Sequence, residues 1–149
     1  MLVLIDTNVI LDMLEKREPF YESSNDVLSL CASKKIKGCI ALHTVSNIFY
    51  ILRKNYSAEN RRRLILGILK FLQVANVSHE NVRHALDRND FPDLEDCLQD
   101  ECTTQNHADY IITRNTDDFS NSNIPAITPS DFLKQHHLYG NDRSPRSIL

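Results

Sequence analysis

Apolar residues along this chain fall into two alternating spacings: short unbroken runs, and stripes that return every three or four positions. Leu2–Ile5 is an unbroken run closed by Asp6-Thr7-Asn8. Val9, Ile10, Met13 and Leu14 then resume at near-helical spacing, which predicts a strand, a tight turn and a helix. Pro19 ends that helix, and Val27, Leu28, Leu30 and Cys31 mark a second. "GCIAL" at 38–42 predicts another buried strand, and Val45, Ile48, Phe49 and Leu52 have clean amphipathic spacing. Ser57 is placed to cap a helix whose stripe is Leu64, Ile65, Ile68, Leu69 and Leu72. "QVANVS" at 73–78 is a weak strand candidate, and Ser78 can cap a short helix through His84 and Leu86.

Asp90 and Pro92 mark the start of a further helix, since proline is tolerated in the first turn and acids favour the positive end of the dipole. Leu94, Cys97, Leu98 and Cys102 form its inward stripe. "YIIT" at 110–113 and "IPAI" at 124–127 are expected strands, separated by a loop, "NTDDFSNSN". Thr128-Pro129-Ser130-Asp131 has capping-box spacing for a last helix. Five short apolar strands separated by helices predict an α/β protein, a parallel five-stranded sheet with helices on both faces. The domain is expected to span 1–139, with 140–149 as a polar, mobile tail.

Length and composition add limits. A chain of 149 residues supports one domain with a single substantial core. No stretch approaches the ~18 consecutive apolar residues of a membrane span, so a soluble, cytoplasmic protein with no membrane partner is expected. Cys31, Cys39, Cys97 and Cys102 include no C-x-x-C pair and lie in or beside apolar stripes, which predicts reduced, buried thiols rather than a zinc site. His136 and His137 read as a solvated pair. The net charge of -3 argues against a protein that coats nucleic acid with bulk positive charge, but not against a nuclease with an acidic pocket and a basic rim. Arg53, Lys54, Arg61, Arg62, Arg63 and Lys70 gather in one stretch, which fits such a rim or a solvated helix face.

The acids carry the chemistry. Asp6 sits at a strand's carboxyl end, where ligands bind in open α/β sheets, although Asp is also an ordinary helix N-cap. Asp93, Asp96 and Asp100 share one helical face, with Asp100 expected to be solvated and Glu95 solvated or paired. Asp117 and Asp118 follow another strand. If the two strands are neighbours, these acids converge, and carboxylates brought that close raise one another's pKa unless a cation offsets them. Mg²⁺, with its preference for oxygen ligands, is the natural cation, and phosphodiester hydrolysis is the chemistry it suits. The three glycines offer no phosphate-cradling loop. An Asp-nucleophile phosphatase fits poorly because the second acid such an enzyme needs, two residues on, is Asn8.

"LIDTNVILDML", "HTVSNIFYILRK", "DLEDCLQ", "DYIITRNTDDF" and "IPAITPSDFL", in that order, resemble the PIN domain, the fold of VapC-type toxins of toxin–antitoxin pairs. The resemblance implies a three-layer α/β/α fold and a Mg²⁺- or Mn²⁺-dependent ribonuclease. It implies Asp6, Asp96 and Asp118 as metal ligands, Asp93 as a companion in catalysis, and Asp117 as a weaker neighbour. Thr7 and Asn8 are supporting groups that donate to the ligand carboxylates. Asn47 stands where the family usually carries a Glu, and Asn115 where many members carry an acid, so fewer negative charges face the metal. A subfamily is similar to this chain in carrying such an Asn. Asp12, about one turn past Asn8, is expected at the surface. RNA substrate, a homodimer, and an antitoxin presenting a basic side chain to the acids also follow from the resemblance. The alternative is a catalytically weak module of the same fold that binds RNA or a protein partner.

Overall fold

All five apolar runs form strands in the computed structural model, which describes residues 1–138; the expected tail from 140 to 149 lies outside the described residues. The strands are β1 (Leu2–Ile5), β2 (Lys37–Ile40), β3 (Leu72–Val74), β4 (Tyr110–Ile112) and β5 (Ala126–Ile127). They pair in parallel in the order β3-β2-β1-β4-β5. Seven α-helices connect them among the described residues: α1 (Thr7–Leu14), α2 (Tyr21–Ala32), α3 (Leu42–Ile51), α4 (Ala58–Ile68), α5 (His79–Asp87), α6 (Leu94–Gln105) and α7 (Pro129–Gln135).

The strands' period of two builds the layers. Val3 and Ile5 of β1, Ile40 of β2 and Ile112 of β4 join a core with α1, α2 and α7 and the inner residues Ile48, Ile65 and Ile68 of α3 and α4. Leu4, Cys39 and Ile111 point the other way, into a smaller core with Ala85, Phe91, Cys97 and Cys102 along α5 and α6. Full burial of each such aliphatic side chain contributes about 1.5–3 kcal/mol. The fold is therefore the expected three-layer arrangement. Gly38 on β2 is required by packing: a Cβ there would lie 2.4 Å from Leu72 and 2.8 Å from Cys31. All four cysteines are free and buried, as their apolar settings predict.

The caps predicted at Ser57, Ser78 and Thr128 are present, each accepting from a backbone N–H one turn on at 3.1–3.2 Å. Several boundaries differ for identifiable reasons. β2 ends at Ile40 because Ala41 is already the extended residue that opens α3. β3 stops at Val74 rather than 78 because the Asn106 amide takes both backbone groups of Asn76, supplanting a strand partner. β4 ends one residue short of Thr113. β5 starts at Ala126, after Pro125, which has no N–H to give. Helix α6 is capped by Asp93, whose carboxylate accepts from the Glu95 N–H at 2.7 Å, while Asp90 pairs instead with Arg88. The expected loop after β4 contains a 3₁₀ turn, Thr116–Phe119, pinned by Phe119 packed edge-on against Phe91. His136 is no solvated pair with exposed His137: its ring packs on Phe132 and Tyr110.

Candidate active site

The sheet order creates one special edge. The chain winds outward through β1, β2 and β3, then crosses back to place β4 on the other side of β1. The carboxyl ends of β1 and β4 thus flank the switch point where α/β proteins form their ligand crevice. Asp6 ends β1 there, is 7 % exposed, and anchors to β4 by donating its N–H to the Ile112 carbonyl. It stands at the N-cap of α1 with extended backbone but makes no capping bond from its side chain. Its carboxylate is held by two long-range donors, Gln99 of α6 on Oδ1 at 3.1 Å and Thr113 on Oδ2 at 2.7 Å, and by a local one, Asn8, on Oδ2 at 2.5 Å. Burial raises the Asp6 pKa, the Thr113 and Gln99 donors oppose the rise, and Asp118 adds to it.

Asp96 lies half-buried on the first turn of α6. Its pKa is pushed up to about 7, by burial first and then by the charges of Asp93, Asp6, Asp118 and Glu95. The two strand-end acids and the start of α6 thus lie at the same edge of the sheet, near enough for their charges to act on Asp96. Asp118 is exposed on the 3₁₀ turn and its charge registers at both Asp6 and Asp96; Asp117 is exposed on the same turn. One oxygen of Asp93 is committed to the α6 cap. Of the supporting residues, Asn8 does donate to Asp6, whereas the Thr7 hydroxyl lies 3.4 Å from that of Thr44. Asn47 on α3 donates its amide to Glu95 at 2.9 Å, and Asn115 is exposed with its N–H on the Thr113 hydroxyl.

Three residues of this edge were not anticipated. His43, on the first turn of α3, is half-buried, with its pKa lowered by burial against the pull of Glu95, Asp6 and Asp93. Position alone would have found it, since it follows β2 much as Asp6 follows β1. Gln99 and Thr113 were passed over as ordinary polar residues, yet both are buried and bond to Asp6.

Two other acids contradict expectation. Asp12 is fully buried, not at the surface, and faces Arg114 at 3.1 Å; the approach is off-axis for a hydrogen bond, so charge holds the pair. Burial raises its pKa and Arg114 and Arg17 oppose the rise. Asp100 is likewise buried rather than solvated, bonded to Arg88 at 2.6 Å and to the Ser122 hydroxyl at 2.5 Å. Arg88 also holds the buried Glu101 at 2.8 Å, and His84 approaches Glu101 at 2.7 Å. Burial would raise Glu101, but its donors Arg88, His84 and Asn81 outweigh burial and keep it low. The Arg88 network closes over Asp100 and Glu101, whereas the Asp12–Arg114 pair borders the site, since the charge of Asp6 acts on Asp12 and the Arg114 N–H donates to Asn8.

The donor set suits a hard divalent cation. Asp6, Asp96 and Asp118 offer oxygen ligands, and Asp96 shows the cost of their unneutralised charge. The Gln99 Oε1 and His43 Nε2 atoms are buried without a hydrogen-bond partner, which leaves polar capacity around the acids for a bound group. Among the described residues, no three acids, histidines or cysteines stand close enough together to hold a metal ion between them as placed.

A model of the PIN domain matches residues 2–117, and the chain belongs to that family. Among solved structures, VapBC2 from Rickettsia felis bound to a DNA fragment from its promoter is similar at TM-score 0.64 and 18 % identity, covering 86 % of this chain and 98 % of that one. VapBC-1 from nontypeable Haemophilus influenzae is similar at TM-score 0.64 and 14 % identity, over 87 % and 99 % of the two chains. At these identities the likeness is one of fold. Comparison with curated proteins gives no match. No helix among the described residues is long and apolar enough to cross a membrane.

Proposed function

We propose that this chain is a metal-dependent endoribonuclease, the toxin member of a toxin–antitoxin pair. The observation that carries the reading is Asp96 at the switch point, whose pKa is pushed up to about 7 by burial first and then by the charges of Asp93, Asp6 and Asp118, a state that a bound cation would relieve. Asp6, Asp96 and Asp118 would hold Mg²⁺ or Mn²⁺. Such an ion supplies charge to offset the scissile phosphate and lowers the pKa of water to give a nucleophile.

The protein's own groups do the rest. Gln99, Thr113 and Asn8 fix both oxygens of Asp6 so that its orientation does not depend on the ligand. Asp93, with one oxygen spent on the helix cap, keeps the other to orient a water. His43, neutral near pH 7, offers Nε2 to a phosphate oxygen or to a proton in transit. Asn115 and Asn47 present amides, which position oxygens without adding negative charge. An antitoxin would mask the same acids with a basic side chain.

The alternative, a binding module of the same fold, draws on one observation: Asn47 is already bonded to Glu95, so the usual second acid is replaced by a group turned to a neighbour. The two readings separate in a cleavage assay on structured and single-stranded RNAs with Mn²⁺, run beside Asp118→Asn. Metal-dependent cleavage lost in the variant supports the nuclease. RNA bound but never cut, at any metal concentration, favours the module.

A further inference from the structure

The positive charge of this acidic chain is unevenly placed. From 41 to 78 there are six Lys and Arg residues and one acid, Glu59, which is already paired with Arg63 at 2.7 Å; the chain as a whole has 17 basic and 20 acidic residues. Four of those six, Arg53, Lys54, Arg62 and Arg63, are exposed on or beside the α3–α4 connection, and Arg61 ties it to α3 by donating to the Phe49 carbonyl at 2.8 Å.

Helix α3 runs from the acids to this basic end. His43, Asn47 and Tyr50 are spaced i, i+4, i+7 and share one face. His43 feels Asp6 and Asn47 bonds Glu95, so that face starts at the acidic crevice. Tyr50 lies about 10 Å further along the axis at 1.5 Å per residue. Tyr50 is 61 % exposed, and the Arg53 guanidinium covers one side of its ring at 3.5 Å from the centroid, held there by a 3.0 Å bond to the Tyr50 carbonyl. A largely exposed aromatic side chain with a cation fixed on one face is a stacking platform: bases stack on such rings, and the cation adds phosphate attraction.

The geometry points to Tyr50 and Arg53 as a subsite that stacks an unpaired RNA base flanking the scissile phosphate, with Lys54 and Arg62 tracking the backbone. This rests on the nuclease reading and deepens it by naming the residues that would hold a flanking base, which must be unpaired because bases stacked in a duplex cannot reach the ring. Phe49, by contrast, is half-buried under Arg61 and packs on the core, so it is not the platform.

The test uses the full chain carrying Asp6→Asn to suppress cleavage, a short fluorescein-labelled polyuridylate, and fluorescence anisotropy. Tyr50→Ala is expected to weaken binding about tenfold, as loss of one stacked base does, while Tyr50→Phe retains it. Lys54→Gln should lower the salt dependence by about 0.7 in log–log slope, as for one phosphate contact on a single strand. Thermal unfolding checks that the exposed Tyr50 substitutions leave the fold intact. RNA binding unchanged by Tyr50→Ala overturns the subsite and leaves the nuclease reading standing. No RNA binding by the Asp6→Asn chain at low salt removes both. Equal displacement of the RNA by polyglutamate would make the patch a surface for acidic protein segments and also overturns the subsite.

Discussion

Replacing Asp96 by Asn should stabilise the metal-free protein at neutral and alkaline pH, although it removes a proposed ligand. The Asp96 carboxyl titrates near 7 in the folded chain, against 3.8 for the ordinary side chain. A raised carboxyl ionises more readily in the unfolded state, so its contribution to stability is whole below about pH 4 and is lost as pH rises through about 7. In a sheltered site a shift of this size amounts to about 4 kcal/mol at 1.36 kcal/mol per unit. Asp96 is only half-buried, and screening by water reduces the expected effect to about 1–2 kcal/mol. For a domain of this size that is a rise in Tm of about 2–8 °C. The assay is thermal unfolding in a chelator across about pH 4 to 8. The Asn variant should gain on the parent as pH rises and match it near the acid end. Mn²⁺ at a hundred times its Kd should then reverse the order, stabilising the parent alone by about 2.7 kcal/mol. A variant less stable than the parent at pH 8 in chelator would refute the crowding argument.

Other substitutions probe the supports. Thr113→Val deletes the 2.7 Å donor to a buried carboxylate and should cost about 1–3 kcal/mol in urea unfolding at pH 7, with Thr113→Ser near parental stability. Arg88→Ala strands Asp100 and Glu101 without their cation and should cost about 3–5 kcal/mol by the same measurement, much of it recovered when Asp100→Asn and Glu101→Gln are added. Gly38→Ala drives a methyl against Leu72 and Cys31 and should lower stability by about 1–3 kcal/mol while metal binding persists in the folded fraction, measured by calorimetry.

What the sequence disclosed follows the range of the interaction. The β1–Asp6–α1 unit is legible because four apolar residues, an acid and a helical stripe are consecutive, and the caps at Ser57, Ser78 and Thr128 are settled within one turn. The resemblance then placed Asp96 and Asp118 beside Asp6 across almost the whole chain. Burial of charge was not legible. Asp12 is an acid within an apolar helix, which normally marks the solvent face; its Arg114 partner is far along the chain, on the segment that follows β4. Asp100 shares a helical face with Asp93 and Asp96, but Arg88 and Ser122 close over it from flanking segments. Gln99 and Thr113 carry no signal of their own, because a neutral donor becomes a site residue only when the fold turns it toward a carboxylate.

Calorimetric titration of the purified protein with Mn²⁺ near neutral pH, beside Asp6→Asn and Asp96→Asn proteins shown to be folded, tests the central claim most directly. The nuclease pocket predicts sub-millimolar binding that both substitutions abolish. Absence of binding by the parent, or binding that survives both substitutions, would contradict it.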